Sequence, residues 1–139
     1  MKIEKISDIY EVLKGYTRKK RLVVAFANDS HSIEAVYMAV KAGLVEGILV
    51  GDTETIQGVC KENGYDESCF KIVHEPNDVR GAETAVEMIR NGEADVIMKG
   101  LVSTDKYMRA ILNKERGLVA PNAILSHVTV MECSSYHKL

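Results

Sequence analysis

Apolar residues near the start of the chain recur at Ile6, Ile9, Tyr10 and Leu13, the i, i+3, i+4, i+7 spacing of one helical face, with Ser7 and Asp8 where a cap belongs and Gly15 as a stop. The pattern then changes. Leu22 to Ala27 is an unbroken β-rich run, as expected of a strand covered on both faces in a parallel sheet. Asn28, Asp29 and Ser30 interrupt it, and Ile33, Val36, Tyr37 and Val40 restore the helical period before Gly43. The alternation repeats. A strand over Gly47 to Val50 leads through Gly51, Asp52 and Thr53 into a helix carrying Ile56, Val59 and Cys60, which stops near Asn63 and Gly64. Phe70 to Val73 is a third strand, followed by His74, Glu75 and Pro76 and a helix with Ala82, Ala85, Val86 and Ile89 on one face. Asp95 to Met98 is the fourth, and the Lys99 to Ser103 loop opens a helix containing Tyr107, Met108, Ile111 and Leu112. A fifth β-like run, Ala123 to Met131, is broken by Ser126 and His127.

Strands alternating with helices at this spacing predict an α/β fold: a doubly wound, mostly parallel sheet with helices on both faces and right-handed crossovers. The chain has 139 residues and two prolines, with no low-complexity stretch, so residues 1–139 read as a single α/β lobe without an internal linker. It stops soon after the last β-like run with no turn or cap, an odd place for a domain to finish. Hydrophobic residues at 46% and charged residues at 27% are ordinary globular values. Eighteen Lys and Arg against twenty Asp and Glu leave a net charge of −2, which lacks the basic footprint of a nucleic-acid binder. No apolar run is long enough to span a bilayer and the start is amphipathic, so no membrane association and a cytoplasmic location are expected. Cys60, Cys69 and Cys133 are odd in number and form no CxxC pair, which predicts reduced structural thiols.

In an open α/β sheet, ligands bind beyond the carboxyl ends of the strands, where helix N-termini present free N–H groups. Three strand ends carry suitable polar loops. Asp29 and Asp52 favour helix capping in the first two, because a carboxylate repels an anion. The third loop, Lys99-Gly100-Leu101-Val102-Ser103-Thr104, combines a cation, a glycine permitting close backbone approach, and two hydroxyls at a helix start. These parts suit an anion cradle; they equally suit a capping serine beside a solvated lysine. The loop lacks the GxxxxGK[ST] order, so a nucleotide γ-phosphate is not implied. Asn28, Ser30, Ser126 and His127 are candidate cleft-lining residues, His127 also reading as a hydrogen-bonded structural histidine within the fifth run. The Arg18 to Arg21 cluster reads as a solvated edge before the first strand. No metal site is expected, since none of the four histidines has neighbours with ligand spacing.

The segments Ala94 to Thr104, Leu125-Ser126-His127-Val128 and Tyr136-His137-Lys138-Leu139 together resemble the phosphate acetyl/butyryltransferase family, the butyryl branch especially. Ala27-Asn28-Asp29-Ser30 and Ile48-Leu49-Val50-Gly51-Asp52 fall in the same order as in that family. The resemblance implies an enzyme that interconverts an acyl-CoA and phosphate with an acyl phosphate and CoA, with coenzyme A as substrate and no bound cofactor. It implies one lobe of a two-lobe fold similar to the isocitrate and isopropylmalate dehydrogenases, with a homo-oligomeric complete protein. Ser103 and Thr104 match the family's Ser-Thr pair that holds the phosphate group. The family's catalytic aspartate and Ser-Arg pair belong to a later part, so the resemblance implies an N-terminal fragment, inactive alone, and no catalytic base is assigned here. The alternatives are a phosphate acyltransferase using acyl carrier protein or another phosphorylated metabolite, and a non-catalytic anion-binding module.

Overall fold

The computed structural model describes residues 2–137 and 139; Met1, and Lys138 within the Tyr136–Leu139 motif, lie outside the described residues. Helix α1 (Ile6–Lys14) precedes β1 (Lys20–Ala25), after which α2 (Ser30–Lys41), β2 (Val45–Gly51), α3 (Thr53–Asn63), β3 (Phe70–His74), α4 (Asp78–Arg90), β4 (Val96–Lys99) and α5 (Thr104–Leu112) follow. All strand pairs are parallel, in the order β3-β2-β1-β4. The interior β1 sets the registers, with Leu22 opposite both Gly47 and Val96.

The uninterrupted apolar run predicted a two-sided strand, and the core divides accordingly. Val24, Leu49, Ile33, Val36, Ile56 and Cys60 bury one face of the sheet under α2 and α3. Val23, Val50, Ala82, Ala85, Val86 and Ile111 bury the other under α4 and α5. Helices on both faces of a parallel sheet make the arrangement doubly wound. Among the described residues no helix is long and apolar enough to cross a membrane.

Two expectations need correction. The run from Ala123 to Met131 forms no strand; residues 120–137 are exposed and irregular, and none of the described residues covers them. β4 is a free edge of the sheet, with Val96 exposed and Ile97 and Met98 only half-buried. Arg21 is not simply a solvated cation. Its Nε donates to Asp95 Oδ2 at 3.1 Å and a terminal guanidinium nitrogen to Oδ1 at 3.1 Å, while the Arg21 N–H donates to Oδ2 at 2.9 Å. The Asp95 N–H returns a bond to the Arg21 carbonyl, so four hydrogen bonds fasten the starts of β1 and β4. At the other end, β1 stops two residues before the apolar run does, because Phe26 takes a left-handed φ of 64°.

The guanidinium of Arg21 and the backbone N–H hold the Asp95 carboxyl well below the usual carboxylate range. A depressed folded pKa contributes stability that is complete above the unfolded value near 4 and is lost as pH falls below it. Asp95→Asn is therefore expected to lower the melting temperature at pH 7 and to flatten its decline between about pH 4 and pH 2, measured by circular dichroism. The thiols differ too. Burial pushes the Cys60 thiol up, while the Ser135 hydroxyl, 3.1 Å from exposed Cys133, pulls that one down. Maleimide labelling at neutral pH is expected to reach Cys133 first and Cys60 only on unfolding, checked by mass spectrometry of peptides.

Candidate functional site

From β1 the chain winds through β2 to β3 on one side, then returns across the sheet to place β4 on the other side of β1. The direction of winding reverses between β1 and β4, and a crevice at such a switch point, beyond the carboxyl ends of the strands, is where open α/β sheets bind ligands. The two loops flanking this point are 26–29 after β1 and 100–103 after β4. They hold Asn28, Gly100 and Ser103, and Ser30 follows the first as the opening residue of α2.

Backbone bonds knit the loops together. Gly100 N–H donates to the Ala25 carbonyl at 3.0 Å and Leu101 N–H to the Phe26 carbonyl at 2.7 Å, while Ala27 N–H reaches across to Val50 at 2.7 Å. A Cβ on Gly100 would lie 2.3 Å from the Phe26 carbonyl oxygen. The glycine is thus required by the approach of β1, whereas the sequence suggested the approach of a ligand. The left-handed turn at Phe26 costs about 1–2 kcal/mol for a non-glycine residue. Its ring is nevertheless buried against Gly81 of α4, where a Cβ would come within 3.1 Å of it.

Four helices start at this edge of the sheet, and their caps differ in charge. Asp29 accepts the Ser32 N–H at 2.9 Å at the start of α2, and Asp52 accepts the Thr55 N–H at 2.9 Å at the start of α3, as their sequence positions suggested. The Thr55 hydroxyl and N–H keep the Asp52 carboxyl low in pKa. Asn77 caps α4 and Ser103 caps α5, the latter accepting the Lys106 N–H at a long 3.3 Å. A carboxylate cap already satisfies the positive end of a helix; Ser103 is neutral and weakly bonded, and the nearest carboxylate on α5 is that of Asp105 in its first turn. Ser103 and Thr104 are exposed, Thr104 is the first residue of α5, and Lys99 is exposed as the last residue of β4.

The remaining candidates are less close to this point. Asn28 Oδ1 accepts the Asp52 N–H at 2.9 Å and fills the space over Gly51, where a Cβ would lie 2.3 Å from it, so Asn28 joins the ends of β1 and β2. Ser30 opens α2 and is exposed. Ser126 and His127 lie in the exposed 120–137 segment, where His127 Nε2 is 3.3 Å from the Thr129 hydroxyl. One pairing escaped the sequence. Lys106 Nζ is 2.6 Å from Asp78 Oδ2, tying the first turn of α5 to the start of α4 just behind Ser103. With 28 positions between the partners, no local spacing announces it. A groove of about 1130 Å³ runs along α4 and α5 and is lined by charges of both signs, including Arg80, Glu87, Asp105 and Arg109. Among the described residues no three His, Cys, Asp or Glu side chains converge as metal ligands.

No protein-family model matches the chain. Over 137 residues it is 40% identical to a phosphate butyryltransferase of Clostridium acetobutylicum, a match covering 99% of this chain and 45% of the relative. A phosphate acetyltransferase of Thermotoga maritima is 33% identical over 131 residues, covering 94% of this chain and 43% of its own. Among solved structures, a phosphotransacetylase of Streptococcus pyogenes shares the fold with a TM-score of 0.60 at 20% identity, over 78% of this chain and 42% of that one. A branched-chain phosphotransacylase of Enterococcus faecalis does so with a TM-score of 0.53 at 21% identity, over 67% and 33%. The chain is similar in sequence to the N-terminal part of phosphate butyryl- and acetyltransferases and spans less than half of their length.

The close contact at the switch point predicts opposite outcomes for two glycines. Gly100→Ala drives a Cβ into backbone that cannot yield and is expected to destabilise by about 1–3 kcal/mol. Gly58→Ala, inside α3 with nothing within 4 Å, is expected to stabilise by about 0.5–1 kcal/mol. Urea titrations of both variants provide the check.

Proposed function

We propose that this chain is the phosphate-binding lobe of a phosphate acyltransferase, the enzyme that converts an acyl-CoA and phosphate to an acyl phosphate and CoA, with a short-chain acyl group such as butyryl. The observation that carries the reading is the start of α5, a helix N-terminus at the switch point capped by a neutral serine, with an exposed lysine on the adjoining strand end. On this reading Ser103 and Thr104 donate hydroxyl bonds to phosphate oxygens, the first N–H groups of α5 complete the cradle, and Lys99 offsets charge. Asp78 holds Lys106 behind the cradle, which fixes the helix without spending its cation on the ligand.

The chemistry gives this lobe half of the task. In the thioester-forming direction the thiol of CoA loses a proton and its sulfur attacks the carbonyl carbon of the acyl phosphate; the C–O bond to phosphate then breaks with the electron pair leaving on phosphate. A cradle that holds phosphate stabilises that departing charge. It neither places CoA nor removes the thiol proton. Those roles belong in this reading to a second lobe facing the cradle, as in an isocitrate dehydrogenase-like cleft, where Asn28, Ser30, Ser126 and His127 would line the wall. A cytoplasmic, homo-oligomeric complete enzyme fits the same proposal.

The 139-residue chain alone is expected to bind inorganic phosphate weakly and to show no acyl-CoA turnover. Replacing both Ser103 and Thr104 by Ala is expected to weaken phosphate binding about tenfold or more in ³¹P NMR titrations, since charge-assisted bonds contribute about 1.5–3 kcal/mol each and share one ligand. In a complete enzyme carrying this lobe, the same change is expected to reduce phosphate-dependent kcat/KM about 10²-fold, with a much smaller effect on KM for CoA. If the hydroxyls only cap α5, the double variant loses about 1 kcal/mol of stability while phosphate binding and kinetics stay intact.

A further inference from the structure

Among the described residues, Leu101 is the one large apolar side chain that stands exposed in a loop directly following a strand of the sheet; it is 55% exposed. The turn that presents it is tight. Val102 N–H donates to the Gly100 carbonyl at 2.9 Å, an i to i+2 bond that closes a three-residue turn with Leu101 at its apex. The Leu101 N–H is itself held by the Phe26 carbonyl at 2.7 Å, and Val102, one residue on, is buried in the core under α4 and α5. The backbone is thus fixed on both sides of a side chain that belongs to neither core cluster.

Every other position of this loop has a use within the fold. Gly100 is demanded by the approach of the Phe26 carbonyl, Val102 fills the core and Ser103 caps α5. Leu101 does none of these, and a polar residue would complete the same turn in water. A leucine beside a helix start suited to an anion stabilises something only when an apolar group meets it. The distances allow one ligand to do both. The Cα atoms of Leu101 and Ser103 are at most about 7 Å apart, the reach of two residues, and a short alkyl tail of four or five atoms extends on the order of 6 Å from a phosphorus.

We propose that Leu101 is a specificity-determining residue: it meets the acyl chain of an acyl phosphate whose phosphate group sits at the start of α5, and it favours a chain of several carbons over a shorter one. The inference rests on the reading of that helix start as a phosphate cradle. It adds that this lobe, and not only the one facing it, selects the acyl group. With one side of the chain against the leucine, about half the surface of each methylene leaves water, which contributes about twofold in affinity per methylene where complete burial would contribute about fourfold. Inorganic phosphate has no tail to reach Leu101, so its binding is indifferent to the residue at this position.

The test is a set of ³¹P NMR titrations of the 139-residue chain with inorganic phosphate, methylphosphonate and pentylphosphonate, the last matching butyryl phosphate in the number of chain atoms beyond phosphorus. Pentylphosphonate is expected to bind about tenfold more tightly than methylphosphonate. Leu101→Ala is expected to cut that preference to about twofold or less, and the volume-conserving Leu101→Met to keep it. In both variants the affinity for inorganic phosphate and the melting temperature are expected to stay unchanged, since the side chain is exposed. Met38→Ala, at a 64% exposed residue on α2, is expected to leave the tenfold preference in place. Equal binding of the two phosphonates by a chain that binds inorganic phosphate overturns the inference and leaves the cradle standing. A preference that survives Leu101→Ala, or that Met38→Ala removes, also overturns it. If neither phosphate nor phosphonate binds, the cradle itself fails and the contact at Leu101 falls with it.

Discussion

The seam between β1 and β4 is the constraint on which the rest of the molecule depends. Every other neighbour of β1 comes from the next unit of chain, but β4 must return across the whole sheet to reach it. Hydrogen bonding is concentrated at both ends of that seam: a bidentate ion pair with two backbone bonds at Arg21 and Asp95, and two backbone bonds at Ala25 and Phe26 received from Gly100 and Leu101. Where the seam opens beyond its last bond, the start of α5 faces the loop after β1. The same pairing that closes the sheet therefore sets the position of the candidate cradle, and Gly100 links the two, being required by one and adjacent to the other.

The alternation of strands and helices was legible because each unit buries itself with local apolar spacing, and four strands and five helices stand within a few residues of their expected places. Departures come where a longer-range partner decides. Phe26 looks like a fifth apolar strand residue, but the Ala27 N–H donates to the Val50 carbonyl while the Phe26 carbonyl accepts from Leu101, and the backbone turns there. Ala123 to Met131 has the composition of a strand and lacks the neighbours that make one. α1 is helical by period, yet its stripe is only half covered, with Ile9 and Leu13 half-buried and Ile6 and Tyr10 exposed, because periodicity reports what a face requires and not whether a partner is present.

At the candidate site, capping chemistry was readable from residue type: Asp29, Asp52 and Ser103 each accept the N–H three residues on. Their difference in charge is what separates α5 from α2 and α3. The partners of Lys106 and Asn28 were not readable, since a lysine in a first helical turn or an asparagine after a strand has many local uses. Only the fold brings Asp78 and Asp52 to them.

The separation of Arg21 from Asp95, 74 positions along the chain, also bears on how the protein emerges during synthesis. At roughly 5–20 residues per second, β1 is made about 4–15 seconds before its second neighbour exists. Throughout that interval one edge of this largely apolar strand is open to pairing with other chains. The basic stretch from Arg18 to Arg21, at the start of that strand, then places like charges where two nascent copies would otherwise align side by side, and this cluster opposes aggregation before its last arginine finds its carboxylate.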